Sequence, residues 1–237
     1  MNTSATITRN LKTVAEFINQ ASVAHAGNLR GDSDNFSSIE ISGAVLENKN
    51  LSRSEWNFSK IENVTFCGIN LEGAEFKFTE LSGVTFERCK LERADFDFCK
   101  MENVTFNECV LYSAGFDFAS GNAAFNACQL EGAEFHHVSL KLAISNCSGE
   151  QAEFNYCPDL QLTAENCDFH SIEFCDSVIN GTLKKCVLSN GDFSGSNGAA
   201  ALFDECRMRD INKSGAVGIN ADKDDEDDDD DFNFDFD

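Results

Sequence analysis

From Phe36 onward a large apolar residue returns at every fifth position: Ile41, Leu46, Leu51, Trp56, Ile61, Phe66, Leu71, Phe76, and so on through Phe96 and Phe106 to Phe116. Side chains return to one face every 3.6 residues in a helix and every 2 in a strand. Neither element can therefore bury a series of period five, and the chain reads as a repeat architecture before anything else. With the large position called i, position i−2 is small: Ala74, Val84, Cys89, Ala94, Cys99, Val104, Cys109 and Ala114. The register then slips by one residue three times without stopping. It resumes at Phe125, Leu130, Phe135 and Leu140; at Ile144, with Phe154, Phe169, Phe174 and Ile179; and at Leu183, Leu188, Phe193, Phe203 and Met208. Gly149, Asp159, Ala164 and Gly198 occupy position i weakly in this second half.

Units a multiple of four apart look most alike. Glu62-Asn63-Val64-Thr65-Phe66 recurs as Glu102-Asn103-Val104-Thr105-Phe106, and Leu71-Glu72-Gly73-Ala74-Glu75-Phe76 returns as Leu91-Glu92-Arg93-Ala94-Asp95-Phe96. The triplets Ala74-Glu75-Phe76, Ala94-Asp95-Phe96 and Ala133-Glu134-Phe135 resemble the small–Asp/Asn–Leu/Phe–x–x consensus of the pentapeptide-repeat family, over residues 34–211. The resemblance implies an all-β fold, a right-handed quadrilateral β-helix with one pentapeptide per side. It also implies that i−2 and i point inward, with about nine coils stacked at roughly the 4.8 Å strand spacing.

Eleven cysteines suggest a disulfide framework only until they are placed. Nine sit at i−2: Cys89, Cys99, Cys109, Cys128, Cys147, Cys157, Cys167, Cys186 and Cys206; Cys67 and Cys175 sit at i+1. At i−2 cysteine acts as a small buried hydrophobe, while Cys67 and Cys175 are expected to face outward. No apolar stretch resembling a secretory signal or a membrane span occurs, so the expectation is a cytoplasmic protein with reduced thiols and no membrane partner. A zinc reading of Cys157, Cys167 and His170 is outweighed, because their spacing follows the repeat rather than a ligand cage. His136 and His137 read as surface imidazoles. No nucleophile is paired with a base, so the expectation is a non-enzymatic protein without cofactor or metal.

The ends differ from the rod. Leu11, Val14, Ala15, Ile18 and Ala21 recur at helical spacing before Gly27, predicting a short capping helix within an N-terminal arm, 1–33. The expected tail, 212–237, becomes acidic: from Asp222 there are 11 acids against Lys223, out of a chain charge of −23. Such a like-charge block is expected to be disordered. It ends with Phe232, Phe234 and Phe236 alternating with polar residues, which either bind a partner or merely accompany a solubilising tail.

Sorting by every fourth unit gives two outward columns on one side. Glu55, Glu75, Asp95, Gly115, Glu134, Glu153, Glu173 and Asp192 precede the large residue, and Phe58, Phe78, Phe98, Phe118, His137 and Tyr156 follow it at i+2. Both are candidate partner-binding columns. Part of the first comes with the consensus, and self-stacking equally explains the second. So acidic a surface repels nucleic acid and anionic lipid and attracts basic proteins. Some pentapeptide-repeat proteins bind bacterial type II topoisomerases by resembling duplex DNA. The resemblance therefore implies a DNA mimic occupying the basic groove of a DNA-binding protein, a topoisomerase or a defence-type nuclease. Two departures, the lack of a long loop between coils and of a C-terminal dimerisation helix, weaken the link to topoisomerase. The alternative is a scaffold or secreted bacterial effector docking a protein through the aromatic column. Partner and oligomeric state are left open.

Overall fold

The computed structural model describes residues 35–220. The expected capping helix, the 222–237 acidic block and Phe232, Phe234 and Phe236 lie outside the described residues. Within them the chain is all-β: β1 (Glu40–Ser42), β2 (Val45–Glu47), β3 (Lys60–Glu62), β4 (Thr65–Cys67), β5 (Glu80–Ser82), β6 (Thr85–Glu87), β7 (Lys100–Asn107), β8 (Ser120–Asn126), β9 (Ser139–Ser145), β10 (Leu160–Glu165), β11 (Val178–Lys184) and β12 (Asn197–Asp204). Every pairing is parallel and joins residues one coil apart, as in Ile61↔Leu81 and Phe66↔Phe86.

Four sides follow. Taking the middle coil, the first side carries Phe96, the second Met101, the third Phe106 and the fourth Leu111. Strands form on the second and third sides, and single bridges knit the other two, Asp95↔Gly115 on the first and Lys90↔Val110 on the fourth. At the corners, residue i+2 adopts positive φ: Arg93 at 56°, Phe98 at 59°, Asn103 at 54° and Glu108 at 51°. Each corner thus uses a left-handed residue, which the period of five supplies at regular intervals.

The core consists of the predicted i and i−2 residues. Trp56, Phe76, Phe96, Phe116, Phe135 and Phe154 are fully buried on the first side, and Phe66, Phe86, Phe106 and Phe125 on the third. Along each column the rings stack, 4.8 Å between Phe76 and Phe96 and 4.9 Å between Phe86 and Phe106. Across the core the columns meet edge to face, 5.7 Å between Phe86 and Phe96 at 82°. Aromatic rings favour both arrangements, so two columns satisfy one another without leaving a void. Seven i−2 cysteines, Cys89 through Cys206, share the fourth side in successive coils, and several thiols donate to a carbonyl of the coil before, as Cys89 does to Phe66 O at 3.3 Å. Eight of the nine i−2 cysteines are buried and all eleven are free; Cys206 is only half-buried, because it lies on the last full coil.

The shortened units all fall at one corner. Between the second and third sides, the chain runs straight through in β8, β9, β10 and β11, and Leu140, Leu142 and Ile144 point inward in strict alternation. Period five gives way to period two there. β9 and β10 do this without glycine, whereas β8 and β11 each carry one at positive φ, Gly121 (108°) and Gly181 (126°), where a Cβ would collide with a carbonyl oxygen of the coil before, that of Met101 and of Leu162. One expectation is corrected: Asp159 is exposed, and Leu160 takes the inward place. The cause is an extra residue at Pro158-Asp159, where proline, lacking a backbone donor, is tolerated outside the ladder. The four-residue step from Leu160 to Ala164 then restores the coil length. The solenoid also continues past residue 211: Asn212 pairs with Asp192, Val217 pairs with Asn197, and Ile219 is buried over Gly198. The first nine residues assigned to a tail therefore belong to the rod.

Candidate functional site

The first side is chemically unlike the other three. Its i−1 column is in unbroken register: Asn35↔Glu55, Glu55↔Glu75, Glu75↔Asp95, Asp95↔Gly115, Gly115↔Glu134, Glu134↔Glu153, Glu153↔Glu173, Glu173↔Asp192 and Asp192↔Asn212. All seven predicted carboxylates thus fall on one line, roughly 34 Å from Glu55 to Asp192 at the strand spacing. Their side chains are half-buried, with Glu134 exposed.

Like charges stacked at this spacing repel. The i+1 column next to them explains how they are tolerated, a role the sequence analysis did not find. Asn57 donates to Glu75 at 3.0 Å, Lys77 pairs with Asp95 at 2.7 Å, His136 meets Glu153 at 2.9 Å and Asn155 donates to Glu173 at 3.1 Å. The same residues cap backbone. Asn57 Oδ1 accepts the Lys77 N–H at 2.8 Å, Asp97 Oδ1 accepts that of Asp117 at 2.9 Å, and Asp117 Oδ1 that of His136 at 2.9 Å. Where the first column has Gly115, the second has Asp97 and Asp117 instead. Burial, followed by the charge of Asp95, pushes Asp97 up to about 6. Burial alone would lower the His136 pKa, but Glu153 and Asp117 outweigh it and raise the imidazole above its ordinary value.

Counting both columns, the first side displays Glu55, Glu75, Asp95, Asp97, Asp117, Glu134, Glu153, Glu173 and Asp192 against a single lysine, Lys77. On the second side, by contrast, Lys60 pairs with Glu62 at 2.8 Å and Lys100 with Glu80 at 3.2 Å around an open groove of about 580 Å³. The third side presents Thr65, Thr85 and Thr105 outward.

Beside the carboxylates runs the aromatic column. Phe58, Phe78, Phe98, Phe118 and Tyr156 are 66%, 48%, 43%, 48% and 53% exposed, and His137 is exposed with them. The rings also stack, at 5.1, 4.7, 4.9, 4.8 and 5.4 Å in turn, so the self-stacking expected from the sequence is present while the rings stay exposed. Every one of the six has a positive φ, between 57° and 60°. Left-handed backbone is costly for a side chain with a Cβ and is ordinarily filled by Gly, Asn or Asp. Aromatics at six successive left-handed corners are not what backbone geometry alone selects. Phe58 through Tyr156 and Glu55 through Asp192 therefore make one rigid strip, acidic along its length and aromatic along one border.

No catalytic constellation accompanies the strip among the described residues. Cys157, Cys167 and His170, weighed as zinc ligands from the sequence, are not brought together: Cys157 is buried beneath the second side, Cys167 beneath the fourth, and the His170 ring bonds Asn190 on the surface. The groups that do converge are Asp117, Glu134 and His136, whose ligand atoms lie within 4.8 Å of one another.

Residues 32–116 match the family model for the pentapeptide repeat region. Among solved structures, HetL, a pentapeptide repeat protein involved in heterocyst differentiation regulation from the cyanobacterium Nostoc sp. strain PCC 7120, is similar with a TM-score of 0.58. It is 16% identical, over 85% of this chain and 91% of that one. At that identity the likeness is one of fold. QnrB1, a plasmid-mediated fluoroquinolone resistance protein, gives 23% identity over 76% of this chain and 90% of that one, with a TM-score of 0.34. No curated protein matches the sequence significantly.

Proposed function

We propose that this pentapeptide-repeat solenoid is a non-enzymatic cytoplasmic interaction protein, whose first side occupies the basic groove of a DNA-binding protein in place of DNA. One observation carries the reading: nine carboxylates and one lysine share a single flat side, while the opposite charges elsewhere are interleaved or paired. Between residues 35 and 220 there are 27 acidic and 14 basic residues, so this side accounts for most of the rod's excess negative charge. The strip is held by backbone ladders and loses little freedom on binding. A groove that normally neutralises phosphates gains the same kind of contact from such a surface. The partner would be the nucleic-acid-binding protein itself, with no direct contact between this chain and nucleic acid.

A second reading rests on the exposed rings. Six aromatics kept at left-handed corners suit docking onto a protein surface with apolar or cationic pockets, as for a scaffold or an effector. Captured partners separate the two by salt and by competition. Groove occupancy weakens steeply with ionic strength and is displaced by duplex DNA; aromatic docking does neither. The variant pair Glu75→Lys with Glu173→Lys is expected to abolish capture. If it leaves affinity unchanged while Phe78→Ala with Phe98→Ala destroys it, the groove reading fails and aromatic docking replaces it.

A further inference from the structure

Around Gly115 the acidic strip has a local arrangement that partner binding does not require. The outward positions of two neighbouring coils form a square: Gly115 and Asp117 on one, Glu134 and His136 on the next, with Gly115 bridged to Glu134. Three corners carry ligand-type side chains whose donor atoms lie within 4.8 Å of one another. The fourth corner is bare. A Cβ on Gly115 would meet only Asp97 Oδ1, at 3.2 Å, so the space above the square is open to an incoming group.

The imidazole is already oriented within the square. His136 Nδ1 lies 3.3 Å from the Asp117 carboxylate, and Nε2 lies 2.9 Å from Glu153 Oε2 on the following coil. A tetrahedral zinc ion with bonds of about 2.0–2.1 Å places its donor atoms roughly 3.3–3.5 Å apart. The Nδ1–Asp117 separation already matches that edge. A metal-bound imidazole ordinarily gives its second N–H to a carboxylate, which fixes the tautomer and strengthens the ligand. Glu153 stands where that carboxylate is needed, and it comes from a different coil than any of the three ligands.

We propose that Asp117, Glu134 and His136 form a binding site for a divalent transition ion of the zinc class, with Glu153 holding the imidazole from behind. One nitrogen and two carboxylates, with water in the open position, suit Zn²⁺ or Co²⁺. Ca²⁺ and Mg²⁺ take all-oxygen sets with more ligands. The ion takes the Nδ1 lone pair, while Nε2 keeps its proton and donates it to the Glu153 carboxylate. The ion would also supply positive charge where Asp95, Asp97, Asp117 and Glu134 crowd together with only Lys77 nearby.

The test is titration of the full chain with Zn²⁺ and Co²⁺ by calorimetry and visible absorption. One ion per chain is expected to bind in the micromolar range, with cobalt d–d absorption and no sulfur-to-cobalt charge-transfer band. Millimolar Mg²⁺ should not displace it. His136→Gln and Asp117→Asn should each weaken this site at least tenfold. Asn at 117 keeps an oxygen for the His136 N–H, as Asn57 three coils before and Asn155 two coils after do for the N–H groups of Lys77 and Cys175, so that variant should fold normally. Glu173→Gln removes one charge from the same strip and should leave the affinity unchanged. The proposal is overturned if wild type shows no stoichiometric site, if either ligand variant binds as wild type does, or if Glu173→Gln weakens binding as much as Asp117→Asn.

Discussion

Phe96 and Phe98 are two residues apart, chemically identical and on opposite surfaces of one wall, so truncating each in turn separates what holds the rod from what decorates it. Phe96 is fully buried, stacked on Phe76 at 4.8 Å and Phe116 at 5.0 Å and edge-on to Phe106 at 5.6 Å. Phe96→Ala opens a cavity that stacked coils cannot close and should cost about 3–5 kcal/mol. Phe98 is 43% exposed, stacks at 4.7 and 4.9 Å and has φ 59°. Phe98→Gly forfeits two ring contacts of about 0.5–1.5 kcal/mol each. It also relieves a left-handed backbone costing about 1–2 kcal/mol for a residue with a Cβ. The greater freedom of glycine in the unfolded chain gives back about 0.5–1 kcal/mol of that relief. The expected net loss is about 1 kcal/mol, with extremes of about −0.5 and about 3, below that of Phe96→Ala. Urea unfolding followed by circular dichroism, with both variants at equal m-value, measures the difference. If Phe98→Gly is as damaging as Phe96→Ala, the outer rings are structural and the argument for a binding strip loses its aromatic half. If Phe96→Ala costs under about 1 kcal/mol, the core is not packed as described.

Asp97 offers a test by pH. Its folded pKa is raised from 3.8 to about 6, so the native state holds the proton more tightly; the stability this supplies is full below about pH 3.8 and lost as pH rises through about 6. Asp97→Asn keeps the acceptor for the Asp117 N–H and should stabilise by about 1 kcal/mol at pH 7 after solvent screening, with the gain gone by pH 4; a gain in melting temperature persisting at pH 4 refutes this. Alkylation under native conditions should label Cys67 and Cys175 first and half-buried Cys206 next, as read by mass spectrometry. Rapid labelling of Cys99, whose thiol burial pushes up to about 12, would contradict the packing of the second side.

The period of five made the columns legible, because a coil stacks identical positions and the count alone aligns Glu55 with Glu75 and Glu173 with Asp192. It failed at Asp159 for the same reason. An inserted residue at Pro158 and a shortened step after Leu160 cancel within one coil, and counting from outside sees only the unchanged total. The setting of His136 was hidden differently. Its partners Asp117 and Glu153 come from the coils on either side and from different columns, so a sorting that treats i−1 and i+1 separately never places them together. The aromatic column was visible as a pattern, but whether its rings stack or face water needed the backbone angle and exposure of each residue. That both hold is a property of side-chain packing, to which the period is blind.

The in-register ladder also works as a ruler. Each coil bonds only to the coil before and the coil after, so inserting or removing one twenty-residue turn leaves every remaining contact of the same kind. The span of the strip can then change only in steps of roughly 4.8 Å, each step adding one position to the carboxylate line and one to the ring line together. Length and chemistry are locked to a single increment. A lineage tuning this surface to a longer or shorter binding groove would do so by duplicating or losing whole turns, and the near-copies at residues 71–76 and 91–96 have the form such a duplication leaves behind.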